Sequence, residues 1–170
     1  MKELILGGIR SGKSRLAEQR ANDSGLEVVY VATAEVRDEE MRRRVAEHKV
    51  RRPEHWRSVE SGPDLAAVLR REAQADRCML VDCLTLWLTQ LLCDDDETLL
   101  RREVDALLEA LPALPGHIVM VANETNMGVV PMGELSRRYC DEAGRLHQCI
   151  AAICDRVTLT VAGLPLAIKG

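Results

Sequence analysis

Residues 4–14 read Leu-Ile-Leu-Gly-Gly-Ile-Arg-Ser-Gly-Lys-Ser, an apolar run that stops at Gly7 and passes into a glycine-rich stretch. Gly7, Gly12, Lys13 and Ser14 fall on the pattern G-x-x-x-x-G-K-[ST], in which a strand hands over to a helix through a loop that cradles phosphates. The glycines let the intervening backbone of Gly8, Ile9, Arg10 and Ser11 turn its N–H groups inward as an anion nest, with the phosphates on the N-terminus of the following helix. Lys13 brings a point charge to the β and γ phosphates, and the Ser14 hydroxyl is a ligand for Mg²⁺. The stretch therefore predicts a nucleotide-phosphate site at residues 7–14.

Working outward, apolar runs and helical stretches alternate, which predicts an α/β layer fold around a largely parallel sheet. Strands are expected at 2–6, 27–32, 78–81, 118–122 and, as the last one, 156–162. The first helix starts at Lys13 and Ser14 and runs to near residue 22. A charged surface helix is expected at 38–48, where Met41, Val45 and His48 share one face. Ser61-Gly-Pro-Asp64 reads as a capping box for a helix reaching to near residue 75. A buried helix follows at 84–92. The three acids Asp94-Asp95-Asp96 read as a charged loop capping a helix at 97–111 rather than as a metal site. Residues 133–155 hold one long helical pattern or two.

The length of 170 residues predicts one domain spanning the chain. Six scattered cysteines, with no C-x-x-C pair and no leader ahead of them, predict reduced thiols and a cytoplasmic location. The net charge of −4 and four aromatic residues (Trp56, Trp87, Tyr30 and Tyr139) argue against a nucleic-acid surface. No apolar run approaches the length of a membrane span. A small soluble partner is expected.

In open α/β sheets ligands gather outside the carboxyl ends of the strands. The polar residues there are Thr33-Ala34-Glu35, Asp82 and Asn123-Glu124. Asp82, after Cys-Met-Leu-Val, reads either as the carboxylate that holds Mg²⁺ beside a phosphate loop or as a cap for the helix from Leu84. Asn123-Glu124 reads either as a pair that orients a hydroxyl nucleophile or as a polar turn. His48 stands among Arg42, Arg43, Arg44, Lys49, Arg51 and Arg52. By composition it is a surface or helix-end histidine, although an imidazole among cations is neutral near pH 7 and nucleophilic. His55 and His117 sit in polar, loop-like contexts, and His147 within a late helix.

Beyond the phosphate loop, the chain carries Val-Ala-Thr-Ala-Glu at 31–35 followed by Asp-Glu-Glu-Met, the stretch H-K-x-x-R-P-x-H-W at 48–56, VDCLTLWLT at 81–89, ANETNMGVVP at 122–131 and GLPLAIK at 163–169. In this order, along essentially the whole chain, they resemble the bifunctional adenosylcobinamide kinase/adenosylcobinamide-phosphate guanylyltransferases of cobalamin biosynthesis. The resemblance implies a P-loop NTPase fold like the RecA core, with a mostly parallel sheet flanked by helices. It implies phosphorylation of the aminopropanol hydroxyl of adenosylcobinamide, then transfer of GMP from GTP to that phosphate through a guanylylated histidine. ATP and GTP are the implied substrates, Mg²⁺ the implied metal and a homo-oligomer, a trimer, the implied assembly.

Carried over by motif, residues 7–14 hold phosphates, with Lys13 catalytic. Ala32, Thr33 and Ala34 line the GTP site with Lys49, Val50, Arg51 and Arg52. Glu60 and Asp82 bind nucleotide or metal, Ser14 shares the metal, and His48 accepts GMP. Two departures stand out: the chain has Asn-Glu-Thr-Asn-Met-Gly at 123–128 where relatives carry NEVGMG, and His147 where they carry Asn. The alternative is a monofunctional P-loop kinase of another small alcohol, which needs the loop and Asp82 but no special histidine. A nucleotide-switched binding protein would need a guanine-reading Asn/Thr-Lys-x-Asp motif, which the sequence lacks.

Overall fold

The computed structural model describes residues 1–34, 39 and 53–170. The helix expected at 38–48, apart from Glu39, lies outside the described residues, as do His48, Lys49, Val50, Arg51 and Arg52. Among the described residues, β1 (Lys2–Gly7) leads to α1 (Lys13–Asp23) and β2 (Glu27–Ala32), then β3 (Arg57–Glu60), α2 (Leu65–Glu72) and β4 (Arg77–Asp82). The chain continues through α3 (Leu84–Leu92), α4 (Leu99–Ala110), β5 (His117–Asn123), α5 (Glu134–Ile153), β6 (Arg156–Val161) and β7 (Leu164–Lys169). The strands form one seven-stranded sheet in the order β3-β2-β4-β5-β1-β6-β7. All pairings are parallel except β6 with β7.

The central strands are continuous apolar runs because both faces of the sheet are covered. Alternate residues leave to opposite sides. Leu4, Val29, Val31, Met79, Val81, Ile118 and Met120 pack into one cluster with α2, α3, α4 and α5. Ile5, Val28, Tyr30, Leu80, Val119 and Val121 pack on the other side with Ala17 and Ala21 of α1 and with Trp56. Trp87 is fully buried in the first cluster, and its indole N–H donates to the Pro63 carbonyl at 2.8 Å, tying α3 to the start of α2. No described helix is long and apolar enough to cross a membrane.

Four expectations change. β3, the short edge strand Arg-Ser-Val-Glu, was not foreseen; three of its four residues are exposed, so no apolar pattern announces it. The strand at 156–162 is not the last, because Ala162 (φ 51°) and Gly163 (φ 81°) make a two-residue turn into antiparallel β7. Positive φ at both central positions is the hairpin turn that follows strand twist. The capping box at Ser61–Asp64 does not form: Ser61 Oγ donates to the Gly62 carbonyl, the helix is capped at Asp64 without a side-chain bond, and it stops at Glu72 because Ala73 is extended. His117 is not loop-like but opens β5, buried, with Nε2 3.7 Å from a carboxylate oxygen of buried Glu3.

Candidate active site

Register places the site. Ala32 pairs with Glu60 on one side and Asp82 on the other, and Gly7 pairs with Asn123 and Thr160. Glu60, Ala32, Asp82, Asn123 and Gly7 thus reach one carboxyl-end edge of the sheet, where ligands bind in such folds.

The phosphate loop leaves β1 at that edge. A Cβ on Gly7 would lie 2.7 Å from the Thr160 carbonyl oxygen of β6, a fixed backbone atom, so only glycine allows β1 and β6 to run this close. Gly12 holds φ 95° as the residue before α1, a conformation L side chains resist. The β6–β7 turn braces the loop from below, with Gly163 N donating to the Ser11 carbonyl at 2.8 Å. Ser11 Oγ is buried with no partner among the described residues, a donor suited to a phosphate oxygen. Ile9 and Arg10 stand exposed on the outer arc, Arg10 at φ 57°. Lys13 Nζ reaches back across the loop to the Gly8 carbonyl at 3.2 Å.

Lys13 also faces the end of β4. Burial lowers its pKa from the usual lysine range, and the nearby Cys83 and Asp82 oppose that shift. Burial pushes the Cys83 thiol up to about 11, so it is neutral at pH 7 and Asp82 is the charge that Lys13 meets. The capping reading of Asp82 falls away: α3 starts after Cys83 and has no side-chain cap bond. Asp82 Oδ2 instead accepts from Tyr30 Oη at 3.0 Å. Thr33 Oγ1 donates to the Cys83 carbonyl (2.7 Å) and accepts from Cys83 N (2.8 Å), so this threonine locks the end of β2 to the residue after Asp82. Ala34 follows it at the same edge, and Glu60 ends β3 exposed.

Asn123 and Glu124 close the site on the other side of the loop. Glu124 N donates to the Gly7 carbonyl (3.0 Å), and Asn123 N donates to Thr85 Oγ1 (2.7 Å). The Glu124 carboxylate accepts from Asn126 N at 2.6 Å. Asn126 Nδ2 in turn donates to the Cys140 carbonyl, so this turn is fastened to α5. Burial lowers the His147 pKa, and the Glu124 charge opposes that shift. Burial pushes the Tyr139 phenol up to about 12. Tyr30, Thr85, Tyr139 and Gly163 were given no site role from sequence, although Thr85 lies within VDCLTLWLT and Gly163 opens GLPLAIK. The described site brings together residues 7–14, Ala32, Thr33, Ala34, Glu60 and Asp82; the 48–52 segment lies outside the described residues.

The donor set fits Mg²⁺. Ser14 opens α1 beside Lys13, Asp82 ends the strand facing it, and both offer hard oxygens, the donors Mg²⁺ takes. Among the described residues no group of three or more His, Cys, Asp or Glu side chains is placed to hold a metal ion by itself.

Sheet, loop and facing carboxylate define a P-loop nucleotide-binding enzyme. Solved structures share the fold: the flagellar accessory protein FlaH from Methanocaldococcus jannaschii (TM-score 0.52, 15% identity, 99% of this chain and 77% of that one) and the RadB recombinase (TM-score 0.52, 18% identity, 93% and 73%). A family model, CobU, described as cobinamide kinase / cobinamide phosphate guanyltransferase, matches residues 3–168. The bifunctional adenosylcobalamin biosynthesis protein CobP of Pseudomonas aeruginosa is 65% identical over 170 residues, covering 100% of this chain and 98% of that one. The bifunctional adenosylcobalamin biosynthesis protein CobU of Escherichia coli K12 is 37% identical over 182 residues, covering 99% and 100%. The chain belongs to the cobinamide kinase/cobinamide phosphate guanyltransferase family.

Proposed function

We propose that the chain phosphorylates the aminopropanol hydroxyl of adenosylcobinamide with ATP or GTP, and then transfers GMP from GTP to adenosylcobinamide phosphate through a guanylylated His48. The observation that carries this reading is a phosphate loop whose Lys13 faces Asp82, in a chain that matches the family over residues 3–168. In the first step the substrate oxygen attacks the γ phosphorus in line, the nucleoside diphosphate departs and the hydroxyl proton is lost. Loop amides, Ser11 Oγ and Lys13 hold the phosphates, while Asn123 and Glu124 stand where the hydroxyl must be oriented. Ser14 and Asp82 would hold Mg²⁺, which when bound would supply positive charge to the phosphate oxygens.

In the second step a neutral His48 imidazole attacks the α phosphorus of GTP and pyrophosphate leaves. An oxygen of the cobinamide phosphate then attacks that phosphorus and displaces the imidazole. Two inversions leave configuration retained. Ala32, Thr33 and Ala34 at the end of β2 and Glu60 at the end of β3 frame the nucleotide, and Lys49, Val50, Arg51 and Arg52, which follow His48 in sequence, contribute to the GTP site. Six scattered cysteines with no C-x-x-C pair support a reducing, cytoplasmic setting. Exposed Leu164, Leu166 and Ile168 on β7 agree with a homo-oligomer, a trimer by family resemblance.

Incubation with Mg²⁺, ATP, GTP and adenosylcobinamide should give the phosphate ester and then the guanylylated product with pyrophosphate. Lys13→Ala should lose both while unfolding at nearly the same temperature, because Lys13, at the first position of α1, contributes little packing. Equal kinase rates in variant and parent would remove the loop from the mechanism.

A further inference from the structure

A groove of about 430 Å³ opens between α3, α5 and the 125–131 connection. Its walls include Leu92, Val129, Pro131 and Leu135, and the hydroxyls of Thr89 and Ser136 interrupt them. Its lining contains no Asp, Glu, Lys, Arg or His. That lining does not suit a second nucleotide, since a polyphosphate needs cations or a nest of amides. It suits a ligand with apolar faces and neutral hydrogen-bonding side chains.

The groove is tied to the phosphate loop through the chain. Thr125 lines it, and the preceding Glu124 donates its N–H to the Gly7 carbonyl. Tyr139 and Cys140 of α5 form its inner wall, and the Tyr139 hydroxyl is buried there. Met127, Val130 and Met132, sequence neighbours of the groove residues Val129 and Pro131, are 76%, 73% and 95% exposed and add an apolar shoulder to this connection. Isolated exposed apolar side chains need no explanation, but several within one short connection do.

We propose that this groove and its shoulder seat the corrin macrocycle of the kinase acceptor. The inference rests on the reading under Proposed function. A corrin presents broad apolar faces fringed by amide side chains. The apolar walls and shoulder take an edge and a face, the hydroxyls of Thr89 and Ser136 meet the amides, and the aminopropanol arm extends past Thr125 and Glu124 toward the γ phosphate.

Two measurements on the full chain test this. Val129 is almost fully exposed, so Val129→Asp should fold as the parent does. It should raise the KM for cobinamide about tenfold, with the KM for ATP and labelling by GTP unchanged. Cys93 and Cys140 line the groove, whereas exposed Cys149 does not. Cobinamide at about ten times its Kd should slow alkylation of Cys93 and Cys140 by N-ethylmaleimide about tenfold and leave Cys149 unaffected. In a protein that turns cobinamide over, an unchanged KM in Val129→Asp or equal alkylation with and without cobinamide overturns the assignment. Protection that follows protein concentration instead of cobinamide marks the groove as an interface between copies and also overturns it. If the parent turns over no cobinamide, the proposed function fails and the groove assignment with it.

Discussion

Asp82 meets two groups at once: Tyr30 Oη donates to its Oδ2 at 3.0 Å, and the Lys13 ammonium lies close enough to feel its charge. Replacing it by asparagine keeps an oxygen for Tyr30 and disturbs no helix cap, since Cys83 occupies that position. Asp82→Asn should therefore change stability by less than about 1 kcal/mol in thermal unfolding while turnover falls by orders of magnitude. Normal turnover with a lowered melting temperature would return Asp82 to a structural role. Gly7, Gly12, Lys13 and Ser14 were legible because the spacing that makes a phosphate nest is local. Thr33 was found at the right edge, but not its hold on Cys83, and Thr85 was not found at all. Their partners stand 50 and 38 residues away, and nothing in the linear pattern carries such a pairing.

Among the elements, Glu72 joins α2 to two strands. Its carboxylate accepts from Arg57 of β3 and from Arg71, its carbonyl accepts from Arg77 of β4 at 3.1 Å, and the side-chain bonds hold its pKa below the usual glutamate range. A depressed carboxylate pKa adds stability that is present above the unfolded value, about 4.3, and is lost as pH falls through the folded value. Glu72→Gln should cost about 1–2 kcal/mol at pH 7, an amount reduced by the partial exposure of both arginines. The gap to the parent should close below about pH 4. A gap in melting temperature that stays constant from pH 7 to pH 3 would contradict this. The same contacts explain why β3 escaped notice: it is held at the sheet edge by pairing with β2 and by Arg57, not by burying an apolar face. β7 escaped for a related reason, since all six of its residues are exposed and Pro165 interrupts the run. By contrast 27–32 and 84–92 were read with their observed bounds, because a continuous apolar run marks an element with most of its surface packed, even though Glu27 and Thr89 are exposed.

In the whole molecule, a sheet covered on both faces brings the ends of β1, β2, β3, β4 and β5 to one edge and leaves the phosphate loop braced by the β6–β7 turn. That arrangement accounts for phosphate binding, and a kinase needs little more. In the proposed function the second activity rests on His48, and the support for that is its place in H-K-x-x-R-P-x-H-W. The deciding measurement uses GTP labelled at the α phosphorus. Label should remain on the protein through denaturation, survive alkali and be lost in acid, as a phosphoramidate bond requires. His48→Ala should abolish labelling and guanylyl transfer while leaving phosphorylation of cobinamide largely intact, and replacement of His55, His117 or His147 should preserve the label. Label recovered on a lysine, or full transfer activity in His48→Ala, would contradict the covalent mechanism and leave a simple P-loop kinase.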